Sequence, residues 1–218
     1  VVHVLLVLKN EIYFPVLHLD SDALPSIEWD LAISIFALIE SPETYDSLLS
    51  NYIIKLCPMV NPDGVVIGNT RSSLVGLDLN RRWKLPNPTV HPEIYFLKQS
   101  MSNMKIQIFC DLHGHNKKEN CFFYGCNKAS DEGMLSWTKT RLLPKVFASI
   151  EPIFAYANCT FKADKYKLTT ARVVVWNELK VTNSFTMECS MFAKNLEDGK
   201  NSIHLTIKDL KQIGDSFL

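Results

Sequence analysis

The chain has 218 residues, of which 47% are hydrophobic and 11% aromatic, so it can bury the core of one domain and is not intrinsically disordered. Its 23 basic and 23 acidic side chains balance, which argues against nucleic-acid binding and against a membrane-surface role. No apolar run reaches the roughly 18–20 residues that a membrane-spanning helix needs. The opening VVHVLLVLKNEIYF has no basic leader and no small-residue cleavage site, and we interpret it as a core strand rather than a signal peptide.

The six cysteines are spread along the chain without a CxxC pair. Several lie in apolar runs, where a free thiol behaves as a small hydrophobic side chain. In a chain of this length an even number of cysteines is weak support for disulfides. We therefore predict reduced thiols and a cytoplasmic protein.

Apolar runs with strand character alternate with helical patterns. The predicted strands are 2–8, 12–18, 51–58, 105–112, 121–124 and 184–189, and the predicted helices are 27–40, 92–103, 134–149 and 206–217. The last helix opens with Thr206 and Asp209, which approximates a capping box. The alternation predicts an α/β fold, a three-layer sandwich in which helices flank a mixed, mostly parallel sheet. Residues 168–179 are ambiguous, because the run VVVW favours a strand whereas the preceding threonines permit a capped helix.

Four polar clusters lie in or directly after apolar segments, where sheets of this class bind ligands at the carboxyl ends of their strands. The first, Asn61-Pro62-Asp63-Gly64, on its own indicates only a turn. The second joins Arg71 to the run DLNRRW at 78–83. Arginines near a strand end bind carboxylates through paired hydrogen bonds and an asparagine adds a directional one, although a solvated basic loop has the same composition.

The third and fourth clusters carry groups suited to metal binding and acid–base chemistry. The stretch FCDLHGHN at 109–116 places His113 and His115 after a strand, which is typical of a metal site, although such histidines also cap loops or pair with carboxylates. Glu188 lies inside the apolar run SFTMEC. A carboxylate there is costly to bury unless it is paired or functional, so Glu188 is a general-base candidate or one half of a strand-end salt bridge.

Taken together, the four clusters resemble the catalytic domain of the M14 zinc metallocarboxypeptidases, specifically the cytosolic carboxypeptidase branch. The motifs that carry the resemblance are PMVNPDGVVIGNTR (58–71), LVGLDLNRRW (74–83), HPEIYFLK (91–98), FCDLHGHN (109–116), FFYGC (122–126) and TTARVVVWNELKVTNSFTMECSMF (169–192). Their order and spacing match that branch. The resemblance implies one catalytic domain over 1–218, in which 1–26 diverge and the β-rich domain that usually precedes it is absent. It also implies that the ambiguous segment at 169–179 is a helix.

The resemblance implies roles for the matching polar residues. Asn80 and Arg81 match the pair that grips the terminal carboxylate of the substrate. Arg71 matches the arginine that polarises the scissile carbonyl and stabilises its oxyanion. Glu188 matches the glutamate that takes a proton from zinc-bound water and passes it to the leaving amine. Tyr166 lies about where more distant carboxypeptidases place a substrate-capping tyrosine.

The resemblance also implies a zinc cofactor. His113 matches one zinc-ligand histidine, whereas His115 matches a family histidine that is not a ligand. The other two family ligands form an HxxE pair ahead of a helix that bears a tryptophan. His91-Pro92-Glu93 looks like that pair but matches the family's own helix opening, which the proline at the first helical turn explains.

The HxxE pair itself is missing or degraded in this sequence. Counted back from Trp29, its positions fall on Ser21 and Leu24, and neither side chain binds zinc. In a second register His18 is a ligand, and the aspartate at position 20 or 22 replaces the glutamate.

Three functional hypotheses follow from the resemblance. The chain is a carboxypeptidase that removes C-terminal or side-chain glutamates from acidic protein tails, those of tubulin being the expected partner. Alternatively it is an inactive pseudoenzyme that binds acidic peptides, or it is a truncated or mis-spliced fragment. In each case nucleic acids and membranes are not expected as partners.

Overall fold

The computed structural model describes residues 3–9, 50–57, 59–69, 71–127, 133–195 and 201–217. The described strands are β1 (His3–Lys9), β2 (Tyr52–Cys57), β3 (Ile106–His115), β4 (Cys121–Tyr124), β5 (Asn183–Ser190), β6 (Ala193–Asn195) and β7 (Ser202–His204). The described helices are α1 (Pro62–Ile67), α2 (Pro92–Met101), α3 (Gly133–Ile150), α4 (Ala171–Glu178) and α5 (Ile207–Phe217). The first five strands form one sheet in the order β2-β1-β3-β5-β4, and β6 pairs with β7.

Helices cover both faces of the main sheet. Alternate residues of β3 and β5, such as Leu112 and Phe185, pack in one core against side chains of α3 and α5, including Phe147 and Leu210. Phe109 of β3 points the other way, into a second core that contains residues of α2 and α4. The predicted three-layer α/β arrangement is therefore confirmed.

The sheet is mixed, but parallel pairing is rarer than the sequence analysis predicted. Among the described strands of the main sheet, only β3 and β5 pair in parallel, whereas β1–β2, β1–β3 and β4–β5 are antiparallel. The expectation of a mostly parallel sheet came from alternation of strands and helices. Here the chain between β3 and β5 includes both the antiparallel strand β4 and a crossover through α3 and α4. The alternation of strands and helices does not tell which strand will pair in parallel and which will pair antiparallel.

The described elements agree with most of the predicted ones. Strands over 51–58, 105–112, 121–124 and 184–189 and helices over 92–103, 134–149 and 206–217 each have a counterpart with similar bounds. The predicted strand at 12–18 and helix at 27–40 lie outside the described residues. The capping box of α5 is present: the Thr206 N–H donates to Asp209 Oδ2 at 2.8 Å, and the Asp209 N–H donates to Thr206 Oγ1 at 3.3 Å.

The NPDG stretch forms the start of a helix rather than an isolated turn. The side chain of Asn61 accepts a hydrogen bond from the Gly64 N–H, and Pro62 occupies the first helical position, where its missing N–H is harmless. Gly68 ends the helix with φ of 84°, which a glycine adopts without strain. Residues that favour turns also cap helices, which is why the short α1 was missed.

Residues 171–178 form a helix, as the resemblance implied, despite the strand propensity of their valines. Val173, Val174 and Val175 are all buried in the helix. Tertiary packing of this apolar face outweighs the local preference of β-branched residues. None of the helices in the described ranges is long and apolar enough to cross a membrane.

Candidate active site

The parallel pairing of β3 with β5 brings two functional side chains together at one end of the sheet. His113 lies opposite Glu188 in the register, and Asp111 lies opposite Thr186. Residues paired in this way project from the same face, and both strands run toward this end. The carboxyl end of this strand pair is where open α/β sheets bind ligands.

Asp111 and His113 form a buried pair. His113 Nε2 lies 2.9 Å from Asp111 Oδ2, and the Asp111 side chain is fully buried. Metal-ligating histidines commonly donate one ring N–H to a carboxylate, which fixes the orientation of the ring. The pair therefore suits the zinc-ligand role that the resemblance implies for His113, and that role stays a prediction.

Asn80 is buried beside this pair. Its Nδ2 lies 3.3 Å from Asp111 Oδ2 and 3.3 Å from His113 Nε2, and its Oδ1 accepts the Ala171 N–H at 2.9 Å. Only 4% of the residue is exposed. Both ends of the amide are thus engaged within the protein, and the substrate-gripping role that the resemblance implies for Asn80 stays a prediction.

Asp78 holds both arginines of the predicted carboxylate clamp. Arg71 donates to Asp78 Oδ2 from Nε at 2.9 Å, and its Nη2 lies 2.8 Å away from the same oxygen. Arg81 Nη1 lies 3.8 Å from that oxygen and donates to the Asn80 carbonyl at 3.1 Å. The shared carboxylate places two guanidinium groups on one wall of the cavity, so this run is more than a solvated basic loop.

Glu188 lines the same cavity as these arginines and lies next to the second histidine of FCDLHGHN. Its Oε2 is 3.4 Å from His115 Nδ1, and both side chains are mostly buried. The His115 ring packs edge-on against Phe122 with a centroid distance of 5.1 Å. Phe122 and this polar contact together hold His115 against the carboxylate.

Arg172 is the functional candidate that the sequence analysis did not single out. It is the second residue of α4 and only 4% exposed, and it lines the same cavity as Glu188. Among the described residues, its Nε and Nη1 have no hydrogen-bond partner. Burial lowers the pKa of the Arg172 guanidinium from its ordinary value. The sequence feature that could have identified it is an arginine inside the buried run ARVVV. That feature indicates a functional residue only once the run is known to form a helix.

The cavity is large and predominantly basic. It has a volume of about 930 Å³, and it gathers the predicted residues Arg71, Asn80, Arg81, His113, Tyr166 and Glu188. Its lining contains three carboxylates, Asp78, Asp164 and Glu188, against seven lysines and arginines, namely Arg71, Arg81, Lys117, Lys118, Lys162, Lys167 and Arg172. Burial and the nearby Arg81 lower the pKa of Lys167, as expected where positive charge is crowded. The cavity is therefore suited to an anionic ligand.

Of two other candidates from the sequence, one lies at the rim of this cavity and the other lies away from it. Tyr166 stands at the rim, 67% exposed, and its hydroxyl donates to Asp164 Oδ2 at 3.2 Å. His91 accepts a hydrogen bond from the Asn87 N–H at its Nδ1 and does not line the cavity. The HPE stretch is therefore a helix opening, as the sequence analysis predicted.

A catalytic zinc takes three protein ligands and leaves one position open. Within the described ranges, no group of three or more histidine, cysteine, aspartate or glutamate side chains is placed to hold a metal ion. His18, the second ligand candidate, lies outside the described residues, as do Ser21 and Leu24. The described residues alone therefore do not make up the zinc site that the resemblance implies.

Comparisons with a family model and with curated proteins both match this chain to carboxypeptidases. A family model described as zinc carboxypeptidase matches residues 35–213. The chain is 39% identical over 205 residues to cytosolic carboxypeptidase 1 of Xenopus laevis, covering 87% of this chain and 17% of the relative. It is 38% identical over 184 residues to cytosolic carboxypeptidase 2 of Macaca fascicularis, covering 82% of this chain and 21% of the relative. The chain thus spans about a fifth of the length of these curated relatives.

Solved structures share the fold. A metallo-carboxypeptidase from Pseudomonas aeruginosa, in complex with (2-guanidinoethylmercapto)succinic acid, matches with a TM-score of 0.71 at 23% identity, covering 87% of this chain and 51% of that one. A metallo-carboxypeptidase from Burkholderia cenocepacia matches with a TM-score of 0.63 at 20% identity, covering 75% of this chain and 42% of that one. Since the family model matches most of the sequence, the predicted resemblance is confirmed: this chain belongs to the zinc carboxypeptidase family and is similar in sequence to the cytosolic carboxypeptidases.

Proposed function

We propose that this protein removes C-terminal or side-chain glutamates from acidic protein tails in the cytoplasm, with tubulin tails as the expected substrate. The observation that carries the proposal is Arg172, a buried guanidinium on the cavity wall whose Nε and Nη1 lack partners among the described residues. Buried guanidinium donors without hydrogen-bond partners are costly, and a ligand carboxylate is the partner that a guanidinium fits best. A glutamate side chain would supply that carboxylate.

The other arginines suit the remaining negative charge of such a substrate. Arg81 and Arg71 stand on the wall organised by Asp78, with 29% and 44% of their side chains exposed. They are therefore open to a terminal carboxylate or to the oxygen of a scissile carbonyl. The lysines that line the cavity, Lys162 and Lys167 among them, would attract further acidic residues of the tail.

Glu188 supplies the acid–base group that hydrolysis needs. It lies opposite His113 across the strand pair and faces the cavity. His115 Nδ1, 3.4 Å from Glu188 Oε2, restrains the carboxylate at the cavity wall. In the proposed reaction the Glu188 carboxylate accepts a proton from the attacking water and delivers it to the leaving amine.

Glu188→Gln is expected to abolish release of glutamate from a glutamate-ending peptide while leaving the dissociation constant within about twofold, because the amide keeps the shape but cannot accept the proton. The measurement pairs a glutamate-release assay with fluorescence anisotropy of the labelled peptide. Glu119→Gln is the matched control, since Glu119 lies in the loop between β3 and β4 and does not line the cavity. Full activity of Glu188→Gln would remove Glu188 from the reaction.

A second candidate function, binding of acidic peptides without hydrolysis, is favoured by the metal-ligand count. Of the three ligands that a catalytic zinc needs, the described residues offer only His113, whose Nε2 contacts Asp111. The basic cavity needs no metal to bind a carboxylate. The two candidates therefore share a binding mode and differ in whether a zinc ion is held.

Elemental analysis of the purified protein separates the two candidates. If the protein is a hydrolase, we expect about one zinc per chain, lost in His113→Ala and in His18→Ala, because a missing ligand lowers zinc affinity steeply. His204→Ala, which alters a histidine outside the cavity, should keep the metal. Zinc at background level together with intact peptide binding would contradict the hydrolase and support the binding protein.

A further inference from the structure

Positively charged side chains extend from the cavity onto α3. Lys118, which lines the cavity, donates from Nζ to the Asn158 carbonyl at 3.3 Å. Asn158 and Tyr156 belong to the same short helical turn, and Lys145 Nζ of α3 lies 5.0 Å from the centroid of the Tyr156 ring. A chain of direct contacts therefore connects a cation of α3 to the cavity.

A second set of contacts connects Arg141 of α3 to the cavity. The guanidinium carbon of Arg141 lies 4.2 Å from the centroid of the Phe161 ring, and the sequence neighbours Thr160 and Lys162 line the cavity. The same carbon lies 4.5 Å from the centroid of the Trp137 ring, a residue that is 52% exposed. We call the four cations of these two sets the basic strip: Lys118, Arg141, Lys145 and Lys162.

Aromatic rings restrain three cations of the basic strip. Arg141 and Lys145 lie over rings as described, and Lys118 Nζ lies 4.7 Å from the centroid of the Phe122 ring. Arg141 is also held by its own helix, since its Nη1 donates to the Trp137 carbonyl at 3.0 Å. A restrained side chain loses less conformational entropy on binding a carboxylate than a freely rotating one does. The strip is therefore better prepared to bind anions than lysines that extend freely into solvent.

The charge and spacing of α3 suit an acidic peptide. Its sequence, GMLSWTKTRLLPKVFASI, contains no aspartate or glutamate. Glu151, directly after the helix, is buried and accepts a hydrogen bond from the Ser216 hydroxyl at 2.9 Å. Arg141 and Lys145 are about one helical turn apart, or roughly 6 Å along the axis. Alternate side chains of an extended peptide have a spacing of about 6.6–6.8 Å, so two carboxylates of such a peptide can meet both cations.

We propose that the basic strip is a binding surface outside the cavity for the acidic segment of the substrate protein that adjoins the glutamates being removed. This inference rests on the proposed function, in which the cavity takes the glutamate to be removed. A peptide that only fills the cavity leaves Arg141 and Lys145 unoccupied. A longer acidic chain reaches them, because each extended residue adds about 3.3 Å. The strip thus makes the protein select long acidic tails over short glutamate peptides.

The test measures fluorescence anisotropy, at low ionic strength, with three labelled peptides that have the same C-terminal glutamates. One is a short peptide of about three glutamates, and two are longer peptides of about twelve residues, roughly 40 Å when extended, with either glutamates or glutamines at the upstream positions. The wild type is expected to bind the long glutamate peptide about tenfold more tightly than the long glutamine peptide. In the double variant Arg141→Gln, Lys145→Gln this preference should fall to about threefold, while the affinity for the short peptide stays within about twofold.

The matched control is the double variant Lys208→Gln, Lys211→Gln. It removes the same charge from exposed positions of α5 that do not line the cavity, and it should keep the full preference. Lys145→Glu keeps the test decisive if the double variant of α3 does not fold, because Lys145 is exposed. Reversing this charge should lower the preference at least as far as the double variant does.

Three outcomes would overturn the inference. The variants of α3 could keep the full preference for upstream glutamates. They could weaken the short peptide as much as the long one, which would mean that they act on the cavity. The wild type could bind both long peptides equally while still binding the short peptide. If the wild type did not bind even the short peptide, the proposed function itself would fail, and that failure is seen without any variant.

Discussion

Replacing Arg172 by methionine is expected to weaken binding of a glutamate-ending peptide about ten- to a hundredfold and, at the same time, to make the protein more stable. The loss of affinity follows from removing a charge-assisted hydrogen bond. The gain in stability follows from removing a guanidinium that is only 4% exposed and whose Nε and Nη1 lack partners among the described residues. Leaving such donors unsatisfied costs about 1–3 kcal/mol, which an apolar side chain of similar length avoids.

Binding is measured by anisotropy with labelled peptides that end in glutamate or in glutamine, and stability by the midpoint of urea unfolding. Lys162→Met is the matched control, because Lys162 lines the same cavity but is exposed. That variant should leave the free energy of unfolding within about 0.5 kcal/mol and change binding less than Arg172→Met does. If Arg172→Met destabilised the protein and bound the glutamate peptide normally, Arg172 would be a structural residue with an internal partner.

Phe123→Ala is expected to lower the free energy of unfolding by about 3–5 kcal/mol, the largest effect on stability among the changes considered. Phe123 is fully buried in β4, at the centre of an aromatic cluster. Its ring centroid lies 4.8 Å from that of Phe154, 5.1 Å from Phe185 and 5.7 Å from Phe147. Truncation leaves a cavity among these three rings and removes several favourable ring contacts.

Urea unfolding monitored by tryptophan fluorescence gives the measurement. Phe192→Ala, at a position 55% exposed, is the matched control and should change the free energy of unfolding by no more than about 0.5 kcal/mol. A loss below about 1 kcal/mol in Phe123→Ala would mean that the ring cluster is not packed as described.

Local sequence patterns were enough for the elements that form the main sheet and the long helices. Apolar runs such as that at 105–112 have one periodicity and clear ends, so their type and position follow from the residues alone. The prediction of an isolated turn at the NPDG stretch was wrong because capping residues and turn residues are the same amino acids. Only the packing of neighbouring segments decides between a cap and a turn. The prediction of mostly parallel pairing was wrong because the direction of strand pairing depends on connections across the whole fold.

The site residues likewise fall into those that local sequence patterns predict and those that only the fold brings to the site. Motif spacing singled out Arg71, Arg81, His113 and Glu188, and the structure brings these around one cavity. Arg172 was missed because its burial depends on whether the run ARVVV is a helix and on which face that helix turns inward. The hydrogen bonds of Asn80 could not be predicted either, since its partners Asp111 and Ala171 lie far from it in sequence.

These long-range hydrogen bonds also bear on the order in which the protein folds. The Asn80 contact to α4 spans 91 positions, and the parallel strands β3 and β5 meet only after a crossover through two helices. Contacts of such sequence separation form late, because the loops between them must close first. During synthesis, at about 5–20 residues per second, the arginines of the DLNRRW run and His113 leave the ribosome several seconds before Glu188. The basic cavity is therefore complete only after β5 has paired with β3, and a nascent chain that still lacks β5 does not yet have it.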